Sequence, residues 1–266
     1  MSLRLLAVFA HPDDETLGMG GTLARYAAEG VETYLLTATR GEKGWFGDPA
    51  EYPGPEELGR QREGELQAAA AALGIRETHF LDYVDGDLDQ ALPSEVVASI
   101  ATEIRRLKPH VVATFGHDGI YGHPDHIAIC QLTTAAVVRA ASSDASLSGE
   151  PHAAAKLYYM VTPKAHLDAY EAVFGELVMN IDGVERRSQG WPDWAITTRL
   201  DTAGYWEQVW QAVQCHRSQL VVYEKLASLP PEHHANLWGN QNFYRAFSTV
   251  NGGREREDDL FAGLRE

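Results

Sequence analysis

Cysteine is nearly absent: Cys130 and Cys215 are the two in 266 residues. That number cannot staple a small scaffold, so a disulfide framework is excluded, and both thiols read as buried or idle groups in a reducing compartment. Long apolar runs are missing too. Residues 3–10 (LRLLAVFA) are apolar but stop at His11-Pro12, well short of the about 20 residues a bilayer span needs, and no small-residue cleavage site follows. Basic charge is scarce, with 22 Lys and Arg against 38 Asp and Glu and a net charge of −16. Such acidity argues against non-specific nucleic-acid binding and against docking on anionic lipid. The sequence also has no Asn-x-Ser/Thr acceptor, no internal repeat and no low-complexity tract. A cytoplasmic protein without nucleic-acid or membrane partners is the expectation.

The composition that remains, 44% hydrophobic and 23% charged, is that of a globular chain with ample core. Continuous apolar or β-branched stretches predict strands at 3–10, 31–38, 78–83, 111–115 and 156–162. Helical periodicity predicts helices at 17–29, 56–73, 94–107 (Ser94 as N-cap), 124–141 and 203–219. Residues 40–55, rich in Gly and Pro, form a long loop of the kind that carries function, and the small, polar residues 142–155 read as a surface linker. Strands alternating with helices imply an α/β fold, a mostly parallel doubly wound sheet whose ligands bind beyond the carboxyl ends of the strands. The chain reads as one domain over 1–266, an α/β core over 1–162 with an irregular extension, 163–266, covering the site. That extension holds five of the six tryptophans, Trp191, Trp194, Trp206, Trp210 and Trp238. They are candidates for a sugar-stacking face, with core packing favoured for Trp206 and Trp210, four apart on a helix.

Two clusters fall at predicted strand ends: His11-Pro12-Asp13-Asp14-Glu15 and Tyr121-Gly122-His123-Pro124-Asp125-His126. Imidazole and carboxylate are ligands that Zn²⁺ takes, and a catalytic zinc keeps one position for water. His11 and Asp14 are three apart across a strand-to-helix turn, so both can point at one ion. His123 and His126 are three apart in a first helical turn and share a face; one ligates while the other stands beside the reacting carbonyl. Asp13, diverging from Asp14, is free to act as a base. Helix capping alone accounts for Pro and acidic residues at such positions, but two His/Asp clusters at corresponding strand ends exceed that pattern. Gly18-Met19-Gly20-Gly21 lacks the third glycine of a dinucleotide loop, since position 23 is Leu23. The acidic run Asp82, Asp85, Asp87, Asp89 lacks the closing Glu of a calcium loop, since position 96 is Val96. His117, His233 and His234 read as surface histidines rather than further ligands.

Over residues 3–219 the sequence resembles the PIG-L/LmbE family of metal-dependent N-deacetylases. The resemblance runs through AHPDDE at 10–15, Gly20-Gly21-Thr22, Thr39-Arg40-Gly41-Glu42, Arg62, Glu65, Asp85-Gly86, the Gly122–His126 cluster and His216-Arg217-Ser218-Gln219. It implies a Rossmann-like fold and one Zn²⁺ per chain on His11, Asp14 and His126. It further implies Asp13 as general base, His123 as the group that stabilises the oxyanion or protonates the leaving amine, and Asp125 as its orienting acid. Tyr121 matches a carbonyl-polarising tyrosine, and Arg62 and Asp85 match positions that contact the sugar or its aglycone. The implied activity is removal of an acetyl group from an N-acetylated amino sugar or related small conjugate by metal-activated water. An amidase on a thiol or other conjugate, and a non-catalytic metal- or sugar-binding module, are the alternatives. Substrate, aglycone and homo-oligomerisation stay open.

Overall fold

In this computed structural model residues 2–176, 178–181, 183–253 and 255–265 are described. The chain opens with β1 (Arg4–Phe9), α1 (Asp14–Ala28), β2 (Glu32–Thr37), α2 (Pro55–Leu73) and β3 (Glu77–Phe80). Next come α3 (Pro93–Leu107), β4 (Val111–Phe115), the short turn α4 (Gly119–Gly122), α5 (Pro124–Ala140) and β5 (Lys156–Met160). Then follow α6 (Lys164–Phe174), β6 (Val178–Ile181), β7 (Val184–Arg187) and β8 (Thr198–Asp201). The chain ends with α7 (Trp206–Val213), α8 (Glu224–Ala227), α9 (Pro231–Trp238) and β9 (Asn240–Ser248). Among the described residues no helix is long and apolar enough to cross a membrane. The chain divides into two compact units, Met1–Leu88 with Leu200–Gln241, and Asp89–Arg199 with Asn242–Glu266.

In the first unit β2 pairs in parallel with β1 on one side and β3 on the other. β1 is an unbroken apolar run because it is buried: Leu5, Leu6, Ala7, Val8 and Phe9 are all fully covered, as a parallel strand covered on both faces requires. Its larger side chains each gain about 1.5–3 kcal/mol from leaving water. α2 starts on Pro55, whose missing N–H costs nothing at a first helical position. It stops at Gly74, where φ is +75° and the N–H turns back to the carbonyls of Ala70 and Ala71. α1, α2 and α7 pack on one another. The Gly20-Gly21 pair serves this packing: a Cβ at Gly20 would lie 3.2 Å from Val209 of α7, and one at Gly21 would lie 2.7 Å from Thr202.

In the second unit β4 and β5 are parallel and β9 runs antiparallel beside β5. α3 packs on α5. The expected N-cap at Ser94 is displaced: Pro93 opens α3 and Leu92 precedes it as N-cap, because proline suits the first helical position. The polar residues after α5 are wrapped around one cation. Arg105, 2% exposed, donates to the carbonyls of Ala140, Ser142, Asp144, Leu147 and Gly149, so this linker is pinned rather than loose.

Strands that pair in parallel with helices between them, β9 and the β6–β7 hairpin being the antiparallel exceptions, make this a mostly parallel, Rossmann-like α/β fold. Residues 200–241 belong to the first unit, and 163–199 and 242–266 belong to the second. The helix expected over 203–219 is shorter. α7 covers Trp206–Val213, with 3₁₀ turns at Ala203–Tyr205 and Arg217–Gln219, because His216 leaves helical geometry (φ −79°, ψ 63°).

The final segment is fastened to β5 by a buried ion network. Lys156, fully buried, donates to Glu257 at 2.7 Å and to the Tyr158 hydroxyl at 3.0 Å. Tyr158 and Thr198 donate to the other Glu257 oxygen, and Arg245 lies 2.8 Å from the same carboxylate. Burial works against the charge on Glu257, but hydrogen bonds from Lys156, Tyr158 and Asn251 outweigh it and hold its carboxyl at about 2. Removing one partner from such a set strands a buried charge and costs about 3–5 kcal/mol. Glu257→Ala should therefore lower urea-unfolding stability by about that amount. Since the folded pKa is depressed from 4.5, this stabilisation is present above that value and fades as pH falls toward about 2. Acid titration of unfolding in wild type and variant should converge over that window.

Candidate functional site

In the first unit the chain leaves β1 and turns through Ala10-His11-Pro12-Asp13 into α1. Asp13 is the N-cap, at φ +101° and ψ −25°. A non-glycine residue held so costs about 1–3 kcal/mol, a strain that collects at functional sites. The turn is secured from within: Asp13 donates its N–H to Glu15 Oε2 at 3.0 Å, and its carbonyl accepts from Thr16 and Leu17. The kink sends the adjacent carboxylates to different partners.

Asp14 turns back to His11, accepting its backbone N–H at 2.8 Å and lying 3.6 Å from its Nδ1. Two donors bound tetrahedrally to one ion at zinc-like bond lengths are about 3.4 Å apart, so this pair has the spacing of shared ligands. The far side of the His11 ring meets Asp85, with Nε2 3.0 Å from Oδ1. A carboxylate on one ring nitrogen fixes the tautomer and leaves the other, Nδ1, as lone-pair donor. Burial opposes charge on Asp85, but His11, the Lys43 N–H and Arg62 together outweigh it and hold the carboxyl well below the usual range. The Lys43 N–H donates to Asp85 Oδ2 at 2.9 Å, and the Asp85 N–H donates to Glu42 at 2.9 Å.

Asp13 faces a different set. Its Oδ2 accepts from the Tyr223 hydroxyl at 2.9 Å and from Arg62 Nη2 at 3.3 Å. Burial pushes its carboxyl up to about 6, with Arg62 pulling the other way. Arg62, 4% exposed, also donates to the carbonyls of Gly41 at 2.7 Å and Pro12 at 2.6 Å. Behind Asp13, Glu15 bonds His216 at 3.0 Å and Thr16 at 2.5 Å. Burial would hold His216 neutral, but Glu15 outweighs it and raises the imidazole above its usual value. Ser218 donates twice to Glu65, and Gln219 donates to the Gly44 carbonyl. Residues 216–223 thereby close over α2 and the start of the 40–55 loop.

In the second unit β4 runs into a turn with Ile120 at φ +66° and Gly122 at φ +80°, then into α5 at Pro124. His123 is the N-cap. Its Nδ1 accepts the Asp125 backbone N–H at 3.1 Å, so a neutral ring carries its proton on Nε2. The His126 ring stacks on Phe115 at 4.0 Å and on His123 at 4.6 Å. The Tyr121 ring stands edge-on to both histidines, 6.0 Å from His123 and 5.4 Å from His126. Asp125 and His126 are buried. Arg186 of β7 donates to the Gly122 carbonyl at 2.8 Å, bracing the turn.

The first unit thus gathers His11, Asp13, Asp14, Arg62 and Asp85, and the second gathers Tyr121, His123, Asp125 and His126. Arg62 and Asp85, which the family resemblance points at a sugar, are buried; Arg62 Nη1 and Nη2 donate to Gly41, Pro12 and Asp13, and Asp85 meets His11. One placement differs from expectation. His234 is not a surface residue: 4% exposed, it sits among the rings of Trp206, Trp210 and Trp238. That cluster is packing within the first unit, whereas Trp194 is 85% exposed. Sequence reasoning missed Tyr223, whose stretch LVVY at 220–223 carries no motif, and the partner role of Glu15, which the AHPDDE motif did contain.

Comparison with known proteins agrees with this geometry. The model of the family PIG-L, GlcNAc-PI de-N-acetylase, matches residues 6–137. The 1D-myo-inositol 2-acetamido-2-deoxy-alpha-D-glucopyranoside deacetylase of Rhodococcus jostii (strain RHA1) is 38% identical, over 82% of this chain and 82% of that protein. The protein of the same name from Rhodococcus erythropolis (strain PR4 / NBRC 100887) is 35% identical, over 98% of this chain and 97% of its own length. Among solved structures, the conserved protein TT1542 from Thermus thermophilus superposes with a TM-score of 0.67 at 28% identity, covering 94% of this chain and 97% of that one. With one relative matched along almost its whole length and both His-Pro-Asp motifs inside the family match, this chain belongs to the PIG-L de-N-acetylase family.

Proposed function

We propose that this protein hydrolyses the acetamide of an N-acetylglucosamine conjugate, of the glucosaminyl-inositol type named for its relatives, and that it uses one divalent ion to do so. The observation that carries this reading is the setting of His11: one ring nitrogen on Asp85, the other 3.6 Å from Asp14, beside an aspartate engaged elsewhere. His11 and Asp14, with His126, would supply a nitrogen–oxygen donor set of the kind divalent metals take. Zn²⁺ suits it best, and Fe²⁺ and Co²⁺ suit it as well. The ion, when bound, supplies Lewis acidity that lowers the pKa of a water and polarises the acetyl carbonyl.

The chain's own groups carry the remaining steps. Asp13 takes a proton from the attacking water. His123, whose Nδ1 accepts the Asp125 N–H so that a neutral ring carries its proton on Nε2, donates to the acetyl oxygen as it gains negative charge, and Tyr121 adds a second donor there. Asp125 orients His123, and Asp85 orients His11. Charging His123 requires a proton on Nδ1, which would break its bond to the Asp125 N–H, so the proton returned to the departing amine comes from Asp13. Acetate and the free amine leave.

Acetate release from 1D-myo-inositol 2-acetamido-2-deoxy-α-D-glucopyranoside tests the reading. Turnover should vanish with a chelator and return with Zn²⁺; full metal occupancy without acetate would favour a binding module instead. His126→Ala should lose both bound metal, by elemental analysis, and activity. Asp13→Ala should keep the metal while its kcat falls about 10²–10⁴-fold; an unchanged rate removes Asp13 as base. Asp85→Ala should weaken metal affinity about 10–100-fold, read by competition with a chelating dye.

A further inference from the structure

Resting on that reading, we infer that Tyr223 is a positioning residue for the base: its hydroxyl, together with Arg62, ties down one oxygen of Asp13 and leaves the other to receive the proton. A carboxylate has two oxygens of equal basicity, and side-chain rotation exchanges them. In this structure they are not equivalent. Oδ2 accepts from Tyr223 at 2.9 Å and from Arg62 at 3.3 Å, whereas Oδ1 has no hydrogen-bond partner among the described residues. The Asp13 side chain is 13% exposed and that of Arg62 4%, so the clamp sits in a largely desolvated place where a hydrogen bond to charge is strong. Burial, with the charge of Asp13 beside it, pushes the Tyr223 phenol well above its usual range, so it remains a donor.

Arg62 alone does not fix this geometry. Its Nη2 is shared with the Pro12 carbonyl at 2.6 Å, the shorter of its two contacts. Tyr223 is the closer partner of Asp13, and it arrives from a segment over two hundred residues away. That segment is itself anchored, through Ser218 on Glu65 and Gln219 on the Gly44 carbonyl. Misplacement of a reacting group by about 1 Å can cost 10²-fold in rate, so a group that fixes the base acts on kcat and not on substrate affinity.

Steady-state acetate release by Tyr223→Phe tests this, alongside Asp13→Asn and the double variant. Tyr223→Phe should lose roughly ten- to a hundredfold in kcat with KM and metal content unchanged. In the Asp13→Asn background the same change should have no further effect, since the group it positions is gone. A wild-type kcat in Tyr223→Phe, a raised KM with kcat preserved, or a full additive loss in the double variant overturns the inference. If Asp13→Asn itself turns over at the wild-type rate, the reading of Asp13 as base fails and this inference with it. An inactive Asp13→Asn beside a fully active Tyr223→Phe rejects Tyr223 alone.

Discussion

A buried guanidinium organises the first unit's half of the chemistry. Arg62 stands on α2, and its donors reach the Pro12 carbonyl in the turn after β1, the Gly41 carbonyl after β2, and the Asp13 carboxylate. It thereby binds the ends of two parallel strands to one helix face. The glycines around it follow from its presence. At Gly41, where φ is +66°, a Cβ would lie 2.3 Å from Arg62 Nη1, and at Gly44 it would lie 2.5 Å away. A lysine would offer one flexible ammonium in place of a planar fork and could not serve the same acceptors in fixed directions. A strained Asp13 backbone is tolerable because so many contacts over-determine the turn.

Two adjacent aspartates hold different offices because that turn separates them. Asp14 meets His11, whereas Asp13 meets Arg62 and Tyr223. Environment, not residue type, therefore distinguishes the two carboxylates. The same logic operates at the second motif, where the Asp125 backbone N–H settles the tautomer of His123. It leaves that ring as a donor suited to a developing oxyanion.

The fold is largely legible in the sequence because its signals are local. β1 and β4 are continuous apolar runs stopped by polar turns, and α2 is bracketed by Pro55 and Gly74. The metal-type residues are legible for a related reason: each cluster lies within six residues on one turn, so order and spacing alone carry it. What is not legible depends on distant pairing. Nothing in the sequence around Arg62 or Asp85 says that Arg62 donates to Gly41 and Pro12 or that Asp85 meets His11. His234 reads as a surface residue because its neighbours Trp206 and Trp210 come from another helix. The C-terminal hundred residues read as a cover. They divide instead between the units, since β9 answers the open edge of β5 while α7 answers α1 and α2.

The break in the helix after α7 shows how site and fold constrain each other. Continued helix through 214–219 would satisfy the backbone by itself, with no help from other segments. In its place the chain leaves α geometry at His216, and the cost is offset by contacts that only this path provides. The imidazole reaches Glu15, the Ser218 N–H and hydroxyl reach Glu65, and Gln219 reaches Gly44. Glu15 follows the turn and Gly44 lies in the loop that Arg62 holds, and Glu65 stands one helical turn from Arg62 on α2. An α/β frame of this kind hosts many chemistries. What distinguishes this one is that a late segment gives up helical hydrogen bonds and in exchange braces the turn carrying Asp13, bringing the Tyr223 hydroxyl to its carboxylate.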